Sequence, residues 1–113
     1  MHEPRLTGTW KSDARKTARE IDARADIPIS SKSRLKKLMG KLELRYTRNR
    51  CYAKLGDDIR PMRFSVVARD QSSVAIVTVD PLLGKKIVHI HFEDEHYWVC
   101  LGNIREYFKQ VKR

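Results

Sequence analysis

Residues Ile87-Val88-His89-Ile90-His91-Phe92-Glu93-Asp94-Glu95-His96-Tyr97-Trp98-Val99-Cys100-Leu101-Gly102-Asn103-Ile104-Arg105-Glu106-Tyr107-Phe108 decide the fold. Their side chains change character every second position, the period of a strand and not of a helix. Two turn signals divide the run. One is the acidic Asp94-Glu95, and the other is Gly102-Asn103, whose glycine supplies the positive φ that a two-residue hairpin needs. Fixing the turns fixes the register: Leu101 faces Ile104, Cys100 faces Arg105 and Trp98 faces Tyr107, while Phe92 faces Tyr97, His91 faces Trp98 and His89 faces Cys100. One face of this sheet then carries Val88, Ile90, Phe92, Tyr97, Val99, Leu101, Ile104 and Phe108. The other gathers His89, His91, Trp98, Cys100, Arg105 and Tyr107. A slip of one residue would mix the two sets.

The same period runs backwards from there. Leu42, Leu44 and Tyr46 alternate with Lys41, Glu43 and Arg45. Cys51, Ala53 and Leu55 alternate with Tyr52 and Lys54 before a Gly56-Asp57-Asp58 turn, and Phe64, Val66 and Ala68 alternate with Arg63, Ser65 and Arg69. The run Val74–Val79 is apolar on both sides, which predicts cover on both faces; Asp80-Pro81 ends it, and Leu82-Leu83-Gly84 leads round to the next strand. Leu6–Lys11 reads as a short first strand with Leu6, Gly8 and Trp10 on one side. Between the first and second strands the period lengthens to that of a helix. Ala14, Ala18, Ile21 and Ala25 follow an N-cap at Ser12 or Asp13, and Ile27-Pro28-Ile29 breaks that helix. A second helix follows Ser30 or Ser31, with Leu35, Leu38 and Met39 on one face and Gly40 as its left-handed stop. The expected fold is mainly β: an antiparallel up-and-down meander of about eight strands closed into a small barrel, so that no edge stays open. The two short helices would cap one end across residues 13–39.

A chain of 113 residues supports one domain, taken as residues 1–113. Its 41% hydrophobic content is too high for a disordered segment, and no run approaches the roughly 20 apolar residues of a membrane span. The opening Met1-His2-Glu3-Pro4-Arg5 has no apolar stretch behind a basic cluster, so no secretory leader is expected. Two cysteines, Cys51 and Cys100, make no disulfide framework, which points to a reduced, cytoplasmic protein. The formal charge is +10, and residues 1–60 hold 16 basic and 8 acidic side chains against 8 and 6 in the remainder.

Gly8-Thr9-Trp10-Lys11 near the N-terminus, two helices after it, a meander, and Arg105-x-Tyr107 in the last strand together resemble the calycin group. That group joins the lipocalins and the intracellular fatty-acid-binding proteins, and the likeness is closest to the latter. It implies a lipocalin-like barrel that binds a small hydrophobic or amphipathic anion without catalysis. Arg105 and Tyr107 would hydrogen-bond the anionic headgroup inside, with Arg63 or Arg69 as candidates for a further interior arginine. Trp98 and Trp10 would supply apolar wall, and His89 and His91 would tune its polarity. This chain is shorter than those relatives and has fewer strands, which implies a smaller or filled cavity. In lipocalins a late basic residue packs across the Trp of the G-x-W motif, so Arg105 stacked on Trp10 is the alternative role for that side chain.

Two arrangements of the C-terminal sheet stay open. Either the all-apolar face is a filled interior and the mixed face looks outward, or the mixed face lines a pocket and helices or a second subunit cover the apolar one. Burying Arg105 and two histidines unpaired costs on the order of several kcal/mol, which favours the filled interior. An outward apolar face would need a partner, and a homodimer is the simplest. Glu106 falls on the apolar face in either case, near the rim or beside a buried cation.

Three other constellations carry alternatives. His89-x-His91 with Cys100 opposite offers three ligands for a transition metal or a haem, a number that also suits structural or surface histidines, and no cofactor is assigned. Cys100 as a nucleophile with His89 as base has no supporting hydrolase signature, and no catalytic residue is assigned. The acidic turn at residues 93–95 reads as a solvated loop. Lys32, Arg34, Lys36, Lys37, Lys41, Arg45, Arg48 and Arg50 lie within nineteen residues, opposed by Glu43 alone. Such a field attracts a polyanion, either nucleic acid or an anionic membrane surface, unless it is simply a solvated helix. The fatty-acid-binding resemblance also implies basic helices that meet anionic membranes. No helix-turn-helix, zinc-finger or RNA-recognition pattern is present.

Overall fold

The computed structural model describes residues 2–38, 40–82, 84–101 and 104–111, and of Leu38 and Leu101 the backbone alone. Eight strands run in order: β1 (Gly8–Ser12), β2 (Leu42–Tyr46), β3 (Arg50–Leu55), β4 (Asp58–Arg69), β5 (Ser73–Asp80), β6 (Gly84–Glu93), β7 (His96–Leu101) and β8 (Ile104–Gln110). Each pairs antiparallel with the next, and β8 pairs back onto β1 to close the barrel. Two helices, α1 (Ala14–Asp22) and α2 (Ile29–Leu38), lie between β1 and β2. This is the architecture the periodicity predicts, and it is compatible with a calycin-like barrel. No described helix is long and apolar enough to cross a membrane.

Strand parity sorts the side chains. Trp10, Tyr46, Phe64, Ile76, Ile90, Tyr97 and Phe108 turn inward and are buried. Their rings interlock, Trp10 on Tyr97 at 4.8 Å, Tyr97 on Phe108 at 4.9 Å and Tyr46 edge-on to Phe64 at 5.6 Å. The Tyr46 and Tyr97 hydroxyls share one hydrogen bond at 3.0 Å, which offsets part of the desolvation cost of two buried phenols.

The segment before β1 seals this aromatic end. Leu6 is fully buried, and its carbonyl accepts the Trp10 indole N–H at 2.9 Å. Arg5 donates to the Gln71 carbonyl at 2.9 Å, lies over the Phe92 ring at 4.8 Å and pairs with Glu3 at 2.6 Å. Leu6 therefore belongs to a turn closed by Leu6 N–H on the Glu3 carbonyl, and the first strand starts at Gly8 instead of Leu6. Gly8 has φ of +123°, a backbone turn that an L side chain would strain.

The helices do not cap the other end. Asp13 is the N-cap of α1, its carboxylate accepting the Lys16 amide at 3.0 Å and bonding His96 Nε2 at 3.0 Å. The Asp13 amide donates to the Tyr107 carbonyl at 2.8 Å, and the Tyr107 amide donates to Thr17 Oγ1 at 3.0 Å. These bonds stitch α1 along the outside of β8. Its buried face is Thr17 and Ile21, while Ala14 is exposed and Ala25 lies beyond the helix end. A threonine hydroxyl, not an alanine methyl, meets the free amide of β8. The second helix begins at Ile29 behind Pro28, whose carbonyl accepts the Lys32 amide, so Ser30 and Ser31 sit inside the first turn and cap nothing. It leans on α1 and, among the described residues, packs on no strand, tied by Lys36 to the Asp22 carboxylate at 2.9 Å and by Lys32 to the Asp22 carbonyl at 3.0 Å. Gly40 is the expected left-handed stop, φ +87°, pressed so closely on Ala14 that a Cβ would collide there.

Four further expectations change. A bulge at Val67 breaks the β4–β5 register, so Ala68 pairs with Ala75 and faces outward. The outer side of β5 is uncovered among the described residues, with Val79 exposed and Val77 half-buried. Leu55 is exposed at the lip of the β3–β4 hairpin. The β6–β7 ladder runs only from Glu93–His96 to His91–Trp98, so His89 and Cys100 do not pair; the two strands part company beyond that point. The remaining pairs expected of β6, β7 and β8 all form. Gly102-Asn103, Met39 and Leu83 lie outside the described residues.

Candidate functional site

The barrel is filled at its sealed end and hollow at the other. A cavity of about 490 Å³ opens where β2, β4, β6 and β8 begin. Leu42, Leu44, Ala53, Met62, Val88 and Val99 form its walls, and Tyr46, Cys51, Tyr97 and Phe108 its floor. Space is left because small side chains, Ala53, Cys51 and Thr78, stand where the sealed end has Trp10 and Phe64. The separation of β6 from β7 widens the mouth on the side of Lys86, Val88 and Val99.

Polar groups are few and placed at the mouth. Asp80 is buried, accepts the Leu82 amide at 2.7 Å and pairs with Arg60 at 3.4 Å. Lys85 and Lys86 are exposed on β6 beside them. Glu106, only 7% exposed, stands in the opposite wall on β8. Its Oε2 accepts the Ser12 hydroxyl at 3.0 Å, and Ser12 Oγ in turn accepts the Gly40 amide at 3.1 Å. Burial pushes the Glu106 carboxyl above the usual range, and the Ser12 bond pulls the other way without cancelling it. On the floor, burial pushes the Cys51 thiol up to about 12 and the Tyr46 and Tyr97 phenols upward as well, so all three stay protonated near neutrality. The floor holds no activated nucleophile.

The residues singled out for the anionic headgroup lie elsewhere. Arg105 is exposed on the outer surface, its guanidinium 4.0 Å from the Trp98 ring centre, not on Trp10. His91 stacks on the same Trp98 at 4.0 Å with rings nearly parallel. Tyr107 is buried, but on the outer side of β8 beneath α1, with Lys16 Nζ 4.9 Å above its ring. The parity that turns Glu106 and Phe108 inward turns Arg105 and Tyr107 outward, so this pair does not form an interior carboxylate site. Trp10 is interior as expected, at the sealed end beneath the floor and not among the residues lining the cavity. Arg63, Arg69, His89 and Cys100 are exposed. Among the described residues no three His, Cys, Asp or Glu side chains are grouped to hold a metal ion.

The basic segment is divided by the fold. Lys32 and Lys36 are engaged with Asp22, whereas Arg34 and Lys37 are exposed on α2 and Lys41 is exposed beyond it. Arg45 lies over the Tyr52 ring at 4.4 Å on the outside of β2 and β3. Arg48 and Arg50 are exposed at the β2–β3 turn, and Arg50 stands directly across from Arg63 of β4.

Arg60 escapes a reading by periodicity because β4 starts five residues before Arg63, and Pro61 hides that extension; Lys86 escapes it because β6 starts three residues before Ile87. The inward parity of Glu106 is legible, and its bond to Ser12 is not. No family model matches the chain, and no curated protein or solved structure matches it.

Proposed function

We propose that this protein is a calycin-like, non-enzymatic container for one small amphipathic anion, working in a reducing cytoplasm. The observation that carries the reading is the hollow half-barrel with apolar walls and a basic mouth. A volume of about 490 Å³ lies within the range of small-molecule sites, whose linings are likewise mostly apolar with a few convergent polar groups. The headgroup would sit at the mouth near Arg60, Lys85 and Lys86 and not on Arg105 and Tyr107. The tail would run inward past Met62, Val88 and Val99, where each buried methylene contributes about 0.8 kcal/mol.

The test is titration of the purified protein with decanoate, followed by calorimetry and thermal unfolding. Saturation at a hundredfold above Kd raises the unfolding free energy by about 2.7 kcal/mol. Val99→Trp, which fills the cavity, abolishes the effect, and Arg105→Ala leaves it intact. A wild-type protein that binds neither decanoate nor any co-purified small molecule, as read by native mass spectrometry, would refute the container.

A second reading concerns the outer surface. Arg50 and Arg63 face each other across β3–β4, an arrangement of like charges that is unfavourable unless an anion sits between them. With Arg45, Arg48 and Lys54 nearby, this face suits a polyanion, nucleic acid or an anionic membrane. Arg48→Glu with Arg50→Glu lowers the salt dependence of heparin retention by about one unit of slope per lost contact. Retention that does not change removes the reading.

A further inference from the structure

Glu106 is the one side chain of the cavity wall that is both ionisable and deeply buried without a counter-charge among the described residues. Asp80, the other buried carboxyl there, has Arg60. A carboxyl group has two oxygens and about four acceptor sites. Ser12 fills one of them, and its hydroxyl proton is committed to Glu106 because its own oxygen already takes the Gly40 amide. Across the ladder Glu106 faces Val99, which offers it nothing, and the Tyr97 hydroxyl on the floor is bonded to Tyr46. The cavity thus keeps an open hydrogen-bonding position in an apolar wall: the unbonded Glu106 oxygen is not sealed off, and a polar group entering the cavity can reach it. An ionised Glu106 asks for a donor, and a protonated one also needs an acceptor for its own proton. A hydroxyl group meets both demands. An ammonium meets only the first, and plain hydrocarbon meets neither.

We propose that Glu106 is the specificity-determining residue of the cavity, selecting an amphipathic anion that carries a hydroxyl on the part of its chain inside the barrel. Ser12 is its positioning residue. The rule of choice is then not chain length alone but the presence of an alcohol that bonds the free side of the Glu106 carboxyl. This rests on the container reading above, and the experiment separates the two.

Binding of decanoate and of decanoates hydroxylated at successive chain positions is measured by calorimetry on the wild-type protein and on Glu106→Leu. At least one hydroxylated form binds the wild type about tenfold tighter than decanoate, the gain expected of one hydrogen bond to a charged or strongly polar group. In Glu106→Leu that preference vanishes while decanoate binds at least as tightly as before. A second readout guards against misfolding of the leucine variant: the infrared difference spectrum of the wild type shows a carboxyl band shifted by the hydroxylated ligand and not by decanoate, and Glu106→Gln lacks that band. If no hydroxylated form outcompetes decanoate in the wild type, or the preference survives in Glu106→Leu, the role of Glu106 is overturned and the container stands. If none of these anions binds, the container itself is overturned and this inference goes with it.

Discussion

Asp13 joins three parts of the molecule through a single residue. Its carboxylate caps α1 and reaches His96 on β7, and its amide holds the Tyr107 carbonyl on β8. Burial pushes this carboxyl up, but the Lys16 amide and His96 outweigh it and hold the group below its usual value. The stability it contributes is therefore present above the ordinary carboxylate range and is lost as pH falls through the lowered folded value. Glu106 has the opposite sign: its folded value is raised, so stability declines as pH rises from the ordinary carboxylate value through the folded one. Asp13→Ala lowers the unfolding free energy by about 1 kcal/mol at neutral pH, the typical loss of a cap, and Asp13→Asn recovers most of it. Urea denaturation across the acid range checks both the loss and a flatter acid limb in Asp13→Ala; an unchanged acid limb would contradict the role given to this carboxylate. At this scale the sequence conveys parity well and destination poorly. That Arg105 and Tyr107 share a face, with Glu106 on the other, follows from alternation. Which face looks inward depends on the total volume of side chains the closed barrel has to enclose, a sum over all eight strands that no single strand reports.

Turn chemistry and alternation together specify the register of β6, β7 and β8 because each hairpin loop leaves one pairing compatible with both. The same logic stops short at Val67 and at the parting of β6 from β7. A bulge is a local twist of the ladder, and strand separation answers to the curvature of the barrel; neither leaves a mark in periodicity. The destination of the helices is hidden for a similar reason. What draws α1 to β8 is one backbone–side-chain bond, Tyr107 amide to Thr17, and one backbone–backbone bond, Asp13 amide to the Tyr107 carbonyl, with Ile21 as the one fully buried apolar side chain of the helix. The second helix has still less to hold it: among the described residues it rests on α1 alone, and Ile29 is 85% exposed. Hydrogen exchange should therefore release the amides of Ile29–Leu38 well before those of β5 and β7, by local opening and not global unfolding. Protection of α2 equal to that of the central strands would contradict its attachment to α1 alone.

Across the whole molecule, charge and cavity divide the surface. The excess of cations lies on the outside of β2–β4 and on α2, whereas the cavity is lined by two buried carboxyls, Asp80 and Glu106, with the exposed Arg60 at its mouth. The barrel, its strand order and its helical insertion are legible in the sequence because they rest on short-range periods. The half-hollow interior is not, because it arises from a difference in side-chain volume between two ends of the same strands. The turn at Glu3–Leu6, bolted across one end by Arg5 and Trp10, has a kinetic consequence. Were the barrel the container proposed above, a vessel with a stopper could not be threaded: whatever went in tail first would come out head first, along the same track, and would never trade places with a successor entering from behind. Exchange of cargo would then be strictly sequential, one guest departing before the next arrives, at a tempo set by the lip of the cup and indifferent to changes beneath its base.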